Sequence, residues 1–395
     1  MGLRFNILNR RNFLKMSNER DNKKQLKKAR ILIFAQRNIY KKFHYRCYLA
    51  EFEDLICQMD SVNILSPKSN NWFKYQTRIA RRLSENFRIS INPGIPKIKL
   101  NEEYDLFFAF CQFPYDLFNI NVVENWKDKC KISICWLSEI WVSRIHLYKY
   151  FLENILSKFD YVILQWSQSI NSVNEIVGNK CVYLPLGIDA IQFCPYPNAP
   201  QRFIDVYSIG RRSEETHRTL YEMFERKDIF YMYDSIKGED VIDTNQHRYL
   251  FSNLAKRSKF FIVNPGKIDV LEETKGQSEI GNRYFEGAAA GTIMIGEHPK
   301  NEEFKKIFYW EDAVIHLPFG SNKIREIISD FERQPRRQAE IRIKNVVESL
   351  MQHDWAYRWE AILKIAGLKP LQGLVDRKKQ LENLSKLVEN EKNLL

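Results

Sequence analysis

No two of the seven cysteines (Cys47, Cys57, Cys111, Cys130, Cys135, Cys181 and Cys194) are spaced C-x-x-C, and most lie in apolar runs such as FFAFCQF and ISICWL. That pattern argues against a zinc ribbon or a thioredoxin-like redox pair and reads as reduced core thiols. Long apolar runs are missing too: no window approaches the roughly eighteen uncharged apolar residues that cross a bilayer. Arg4, Arg10, Arg11 and Lys15 interrupt any secretory h-region, so the expectation is a cytoplasmic chain. A myristoylation pattern fails at Asn6, where Ser or Thr is required. There is no internal repeat.

The body of the chain also lacks a basic stripe, although the net charge is +12. Residues 1–30 hold ten Lys or Arg against two acids, and residues 369–395 hold six against four, so most of the excess is terminal. This argues against nucleic acid as a partner. The N-terminal MGLRFNILNRRNFLKM mixes Leu3, Phe5, Ile7 and Phe13 with cations. It reads either as a disordered leader or as an interfacial helix in peripheral contact with an anionic membrane.

What is present is a two-domain length, 395 residues, with 44% hydrophobic residues. Short apolar runs at 29–38, 61–67, 104–114, 131–141, 159–167 and 180–189 read as strands. Helical spacing over 45–59 and a basic amphipathic helix over 72–87 lie between the earliest of them. This β-α alternation predicts a mostly parallel, Rossmann-like lobe over 30–189. AIQFCPYPNAPQ follows, its three prolines predicting a linker over 190–202. A second Rossmann-like lobe is expected over 203–367, with strands at its start and at 258–266, 291–297 and 312–317. Two helices parted at Pro335 come next, then a helix over 354–367 in which His353 and Asp354 read as cap residues. The charged tail 368–395 has Leu374, Leu381, Val388 and Leu395 at heptad spacing, but Arg377 and Glu391 fall among the companion positions. It reads as a solvated terminal helix.

The most unusual passage is GNRYFEGAAAGTIMIGEHP, Gly281 to Pro299. Arg283 to Ala290 should form a short helix, with Gly291 as its cap and a strand after it. Gly287 and the three alanines leave little bulk, so the helix could approach either the neighbouring strand or a ligand phosphate drawn to its N-terminal N–H groups. Glu286 would repel that phosphate. A ligand carrying both a diphosphate and a ribose diol resolves the conflict, with the carboxylate accepting from the hydroxyls.

NRYFEGAAAGTIMIGE, preceded by VYLPLGIDAIQFCP and VYSIGRRSEETHRTL and followed by HDWAYRWEAIL, resembles the GT-B glycosyltransferases, nearest to the CgeB-like, group 1 branch. The resemblance covers about residues 30–367. It implies two Rossmann-like lobes facing each other across a cleft, with the last helix crossing back to the first lobe. It also implies a nucleotide-diphospho-sugar co-substrate with no metal or other cofactor, and a glycan or lipid-linked acceptor. On that basis Glu286 contacts the ribose, and Gly210 with Arg211 or Arg212 meets the diphosphate. Asn282, Arg283, Tyr284 and Gly287 complete the donor side. Departures are visible. Many retaining members carry a Glu eight residues before the ribose-binding one; here that position is Ser278, and Glu279 comes one residue late. AQRN replaces a Gly-rich first turn, and the Lys expected after the Gly-Arg turn has only Arg212 or Arg218 as substitutes. If transfer inverts, Glu139 or His44 is placed to deprotonate the acceptor hydroxyl. A sugar-nucleotide epimerase and a non-catalytic sugar-nucleotide binding protein are the alternatives.

Overall fold

The computed structural model describes residues 29–40, 43–88, 91–92, 94–235 and 241–392. The expected basic leader, with its interfacial-helix reading, lies outside the described residues up to residue 28.

The first lobe is built on six strands: β1 (Ile31–Phe34), β2 (Val62–Leu65), β3 (Tyr104–Cys111), β4 (Cys130–Leu137), β5 (Tyr161–Leu164) and β6 (Cys181–Tyr183). Their order is β2-β1-β3-β4-β5-β6, and every neighbour is parallel. Strands covered on both faces need apolar side chains on both. All four residues of β1 are buried accordingly, as are Leu106 to Cys111 of β3. The α-helices of eight or more residues in this lobe are α1 (Cys47–Met59), α2 (Phe73–Phe87), α3 (Ile145–Asn154) and α4 (Ile170–Val177). All six expected strands form.

The second lobe holds β7 (Ile204–Ser208), β8 (Tyr231–Tyr233), β9 (Ser258–Val263), β10 (Ile293–Gly296) and β11 (Ile315–His316), in the order β11-β10-β9-β7-β8, again all parallel. Its α-helices of eight or more residues, before the chain crosses back, are α5 (Glu214–Glu225), α6 (Thr244–Lys256), α7 (Asn282–Ala289), α8 (Ile324–Glu332) and α9 (Pro335–Glu348). Pro335 opens α9, where its missing N–H costs nothing. Neither β8 nor α6 is among the expected elements: β8 sits in a short apolar run, residues 229–233, that is not among those singled out, and α6 is rich in polar residues that give little periodic signal.

The lobes share one hydrophobic cluster. It runs from Ile31, Phe52 and Phe108 in the first, through Leu186, Ile188 and Phe193, to Tyr207 and Phe261 in the second. The linker is therefore more ordered than its prolines suggest. Asp189 accepts from the Gln192 N–H at 3.1 Å and caps a short helix, Ala190–Phe193, before the first of them. The helix α10 (Trp355–Ile365) does cross back. Trp355 stacks on Phe52 of α1 with centroids 4.4 Å apart, and the Trp359 Nε1–H donates to Asp60 at 3.1 Å. Gly187 permits this crossing, because a Cβ there would stand 2.5 Å from the Trp355 ring.

The tail is a correction. It forms α11 (Gln372–Lys392), but its heptad positions Leu374, Leu381 and Val388 are fully buried in the shared core. Arg377, which argued against such packing, is the pivot of it. Its guanidinium binds Asp189 at 2.8 Å and Asp354 at 2.7 Å, so its charge is matched where it is buried. Asp354 caps α10 as expected, accepting from the Ala356 N–H at 2.8 Å.

Candidate active site

In parallel sheets, ligands bind beyond the carboxyl ends of the strands. Loops from those ends of both sheets enclose a cleft of about 450 Å3. Behind β7 the chain turns at Gly210, whose φ of +86° is the left-handed conformation glycine adopts without strain. The next two residues then part. Arg211 enters the cleft, paired with Asp269 at 2.8 Å. Arg212 turns away, donates to the Asp234 carboxylate at 2.8 Å and lies over the Tyr233 ring. It lines a separate small cavity with Thr216 and His217. Of the twin arginines expected at the donor, one faces the cleft and the other braces the turn. Arg218 pairs with Glu215 on the exposed face of α5.

Sequence reasoning missed two cations of the site, Arg248 and Lys267, the latter in the NPGK loop behind β9. Lys267 reaches across the cleft to Glu139 at 2.9 Å and also binds Glu273 at 2.8 Å. Its ammonium stands 5.5 Å from the centroid of the Trp141 ring, which itself lies against Trp166. A Pro-Gly pair ending a buried strand was the available signal for a ligand loop. Glu139 also accepts from the Trp141 Nε1–H at 3.1 Å. Placed in the cleft as expected, it is held there by an opposite charge.

Helix α7 starts one residue earlier than expected. Asn282 and Arg283 of its first turn line the cleft, as does Glu286. Two other expected donor residues do not. The Tyr284 hydroxyl donates to the Glu297 carbonyl at 2.6 Å inside the core, and Gly287 lies against the sheet. A Cβ on Gly287 would meet both Met294 and Phe261 at 2.9 Å. The small residues of this helix thus give clearance to β9 and β10, which fits the strand alternative and not the phosphate one.

Glu286 is 2% exposed, and each of its oxygens receives an arginine: Arg248 at 2.5 Å and Arg283. Burial alone would raise its pKa, but Arg283 and Arg248 outweigh that and hold it below the ordinary carboxylate value. Two of its four lone-pair sites remain for a ligand. Arg248, from α6, is the centre of a buried triad. Its Nε–H binds Glu51 of the first lobe at 2.6 Å, while its Nη2 is buried with no partner among the described residues. Glu51 in turn accepts the Trp355 Nε1–H at 2.9 Å and the Asp189 N–H at 3.1 Å. His44 lines the opposite wall, its ring centroid 6.5 Å from that of His247. His247 is pushed down to about 4 by burial and by the neighbouring Arg248 and Arg283, so it is neutral at pH 7. Above it the Tyr48 hydroxyl contacts Gln112 at 2.6 Å and Ser138 at 2.5 Å.

Glu279 lies behind the cleft wall and not in it. Its carboxyl accepts from the Gln277 Nε2–H at 2.8 Å; that amide also donates to Ser169 Oγ at 2.8 Å, and its oxygen accepts the Val142 N–H at 2.9 Å. Burial pushes Glu279 up to about 8, only partly offset by hydrogen bonds from Gln277 and Gln168. The folded chain therefore holds a proton that the unfolded chain releases near its ordinary 4.5. Stability from this group is full below that value and falls by about 1.4 kcal/mol per pH unit until the folded pKa is passed. Glu279→Gln should abolish this slope, gaining on the parent as pH rises from 5 to 8 in thermal melts. Parallel curves for the two proteins would contradict the assignment.

Among the described residues no three His, Cys, Asp or Glu side chains are grouped to hold a metal ion, and no helix is long and apolar enough to cross a membrane. Residues 217–364 match the family described as glycosyl transferase-like. That span contains Arg248, Lys267 and Glu286 but begins after the Gly210 turn and Arg211. No curated protein sequence matches the chain. Among solved structures, the N-terminal domain of trehalose-6-phosphate phosphatase from Candida albicans is similar at a TM-score of 0.52 and 8% identity, over 88% of this chain and 99% of that one. S. aureus TarM, solved with UDP and alpha-GlcNAc-glycerol, has a TM-score of 0.43 and 13% identity over 66% of this chain. The chain spans about half, 55%, of the TarM chain. A UDP-N-acetylglucosamine 2-epimerase has a TM-score of 0.45 and 9% identity over 86% of this chain and 97% of that one. The fold is GT-B, two Rossmann-like lobes closing on a cleft, and residues 217–364 of its second lobe are similar to the glycosyl transferase-like family.

Proposed function

We propose that the chain transfers a glycosyl group, of hexose type, from a nucleotide-diphospho-sugar to a hydroxyl of a glycan or lipid-linked acceptor, at a cytoplasmic location and without a divalent metal. The observation that carries this reading is the convergence of Arg211, Lys267, Arg248 and Arg283 on one cleft beside a buried, ionised carboxylate, Glu286. When the glycosidic bond to the donor breaks, positive charge grows at the anomeric carbon and negative charge on the departing diphosphate. Cations fixed in place before the reaction stabilise that leaving group most, since they need not reorganise. Arg211 and Lys267 are the pair for this role that comes from the loops behind β7 and β9, and their carboxylate partners Asp269, Glu139 and Glu273 hold them ready until a donor displaces them. Glu286 accepts the ribose hydroxyls through its free lone pairs. In an inverting reaction the acceptor proton passes to His44 or, once Lys267 turns to the diphosphate, to Glu139.

A nucleotide-release assay over a panel of donors tests the reading. Arg211→Ala should slow release by about a hundredfold or more, the usual cost of removing one donor to a developing anion. Turnover of a donor without any acceptor, to an epimerised nucleotide sugar, would select the epimerase alternative. Calorimetry in which no nucleotide sugar binds would select the scaffold.

A further inference from the structure

Helix α2 carries a second apolar face that the fold does not use. Its narrow buried side is Phe73, Ala80 and Ser84. About a third of a turn away, Trp72, Tyr75, Ile79, Leu83 and Phe87 recur at three- and four-residue spacing and form one continuous stripe. Trp72 is 68% exposed, Tyr75 63%, Ile79 61% and Phe87 67%. Large residues scattered singly on a surface need no explanation, whereas a contiguous stripe of five does. Lys74, Arg78 and Arg82 form an exposed cationic row along one border of the stripe, a basic row on the folded body that the expectation of terminal charge did not include, and among the described residues none of the three pairs with a carboxylate. From Lys68 to Arg88 there are six cations and one acid, Glu85, which is engaged with Arg81.

We propose that this face of α2 docks the chain on an anionic lipid surface. An aromatic and aliphatic stripe beside a row of cations is what an interfacial helix needs, since its apolar side enters the acyl boundary while its cations meet the headgroups. A protein groove would account for the stripe but not for the unpaired cations at its rim. The location suits a membrane-held acceptor. Phe73 touches Tyr40, behind β1, with centroids 5.9 Å apart, and Arg81 stacks 4.2 Å from the Tyr115 centroid, behind β3. The same two loops bring Tyr45 and Phe113 to the cleft. Docking through α2 therefore sets the first-lobe wall of the cleft near the lipid surface. It does not depend on glycosyl transfer.

The test is sedimentation of the full chain with phosphatidylcholine vesicles that contain phosphatidylserine, against phosphatidylcholine alone. The chain should sediment with the anionic vesicles only. Arg78→Glu with Arg82→Glu, and separately Ile79→Ser with Phe87→Ser, should each lower partition by at least about tenfold, while Arg78→Lys with Arg82→Lys retains it. These side chains face solvent, so the variants should melt with the parent. Partition unchanged by either Glu or Ser pair would overturn the proposal and move any binding to residues 1–28. So would an absence of binding, or a dimeric parent that the Ser pair makes monomeric, since a second copy would then cover the stripe.

Discussion

Arg248→Met lowers the stability of the folded chain by about 3–5 kcal/mol, because it strands the Glu51 carboxylate in the interior and leaves Glu286 with Arg283 alone. Glu51 and Glu286 are each buried; Arg248 is the arginine of Glu51 and shares Glu286 with Arg283. The loss is not local. Glu51 belongs to the first lobe, and its other oxygen holds the Trp355 ring of the crossing helix and the Asp189 N–H of the linker. Removing Arg248 thus loosens the seam where two lobes, linker and last helices meet. Thermal and urea melts should show the fall at pH 7, and the gap from the parent should narrow as pH drops and the orphaned Glu51 carboxylate takes up a proton. A triple variant that also carries Glu51→Gln and Glu286→Gln should recover much of the loss, as buried ion clusters replaced together do. Were Arg248→Met alone within about 0.5 kcal/mol of the parent, as surface changes are, the triad would not be a structural pin.

Much of the architecture is written in local pattern. Buried parallel strands are short apolar runs, and ten of the eleven strands fall in runs singled out from the sequence; β8 falls in a further one, residues 229–233 between Asp228 and Asp234, that is not among them. The site is less legible because its contacts are not local. Glu51 and Arg248 are 197 residues apart, and nothing in the polar sequence of α6 distinguishes Arg248 from a solvated helix residue. Adjacent residues were misleading for the same reason. Arg211 and Arg212 look equivalent in sequence, yet a left-handed turn at Gly210 sends them to opposite sides of the loop. Gly287 and its alanines read equally as clearance for a phosphate or for a strand, and only the position of Met294 and Phe261 decides. In α11 the heptad leucines gave the correct face, while Arg377 was read as a fault in it because its partners Asp189 and Asp354 are distant in sequence.

Glu286→Gln separates the two roles the carboxylate could fill, because charge neutralisation and ribose reading have opposite signatures. The amide keeps the shape but turns one acceptor into a donor facing Arg283 or Arg248. If Glu286 served only to balance the arginines, the variant would free positive charge in the cleft, and a nucleoside diphosphate and inorganic pyrophosphate would both bind more tightly. If it also reads the ribose, the nucleoside diphosphate loses a hydrogen bond to a charged group, about 1.5–3 kcal/mol. That is roughly a ten- to hundredfold weakening. Pyrophosphate has no ribose and should bind as well as before or better. The expected calorimetric result is therefore a reversal of preference between the two ligands, accompanied by a fall in donor turnover of about a hundredfold. Equal weakening of both would point to a collapsed site, and a melting comparison with Arg248→Met would show whether loss of the triad explains it. Equal tightening of both would leave Glu286 as a counterion alone, and the ribose would have to be read from the neighbouring Asn282 or from the loop behind β9.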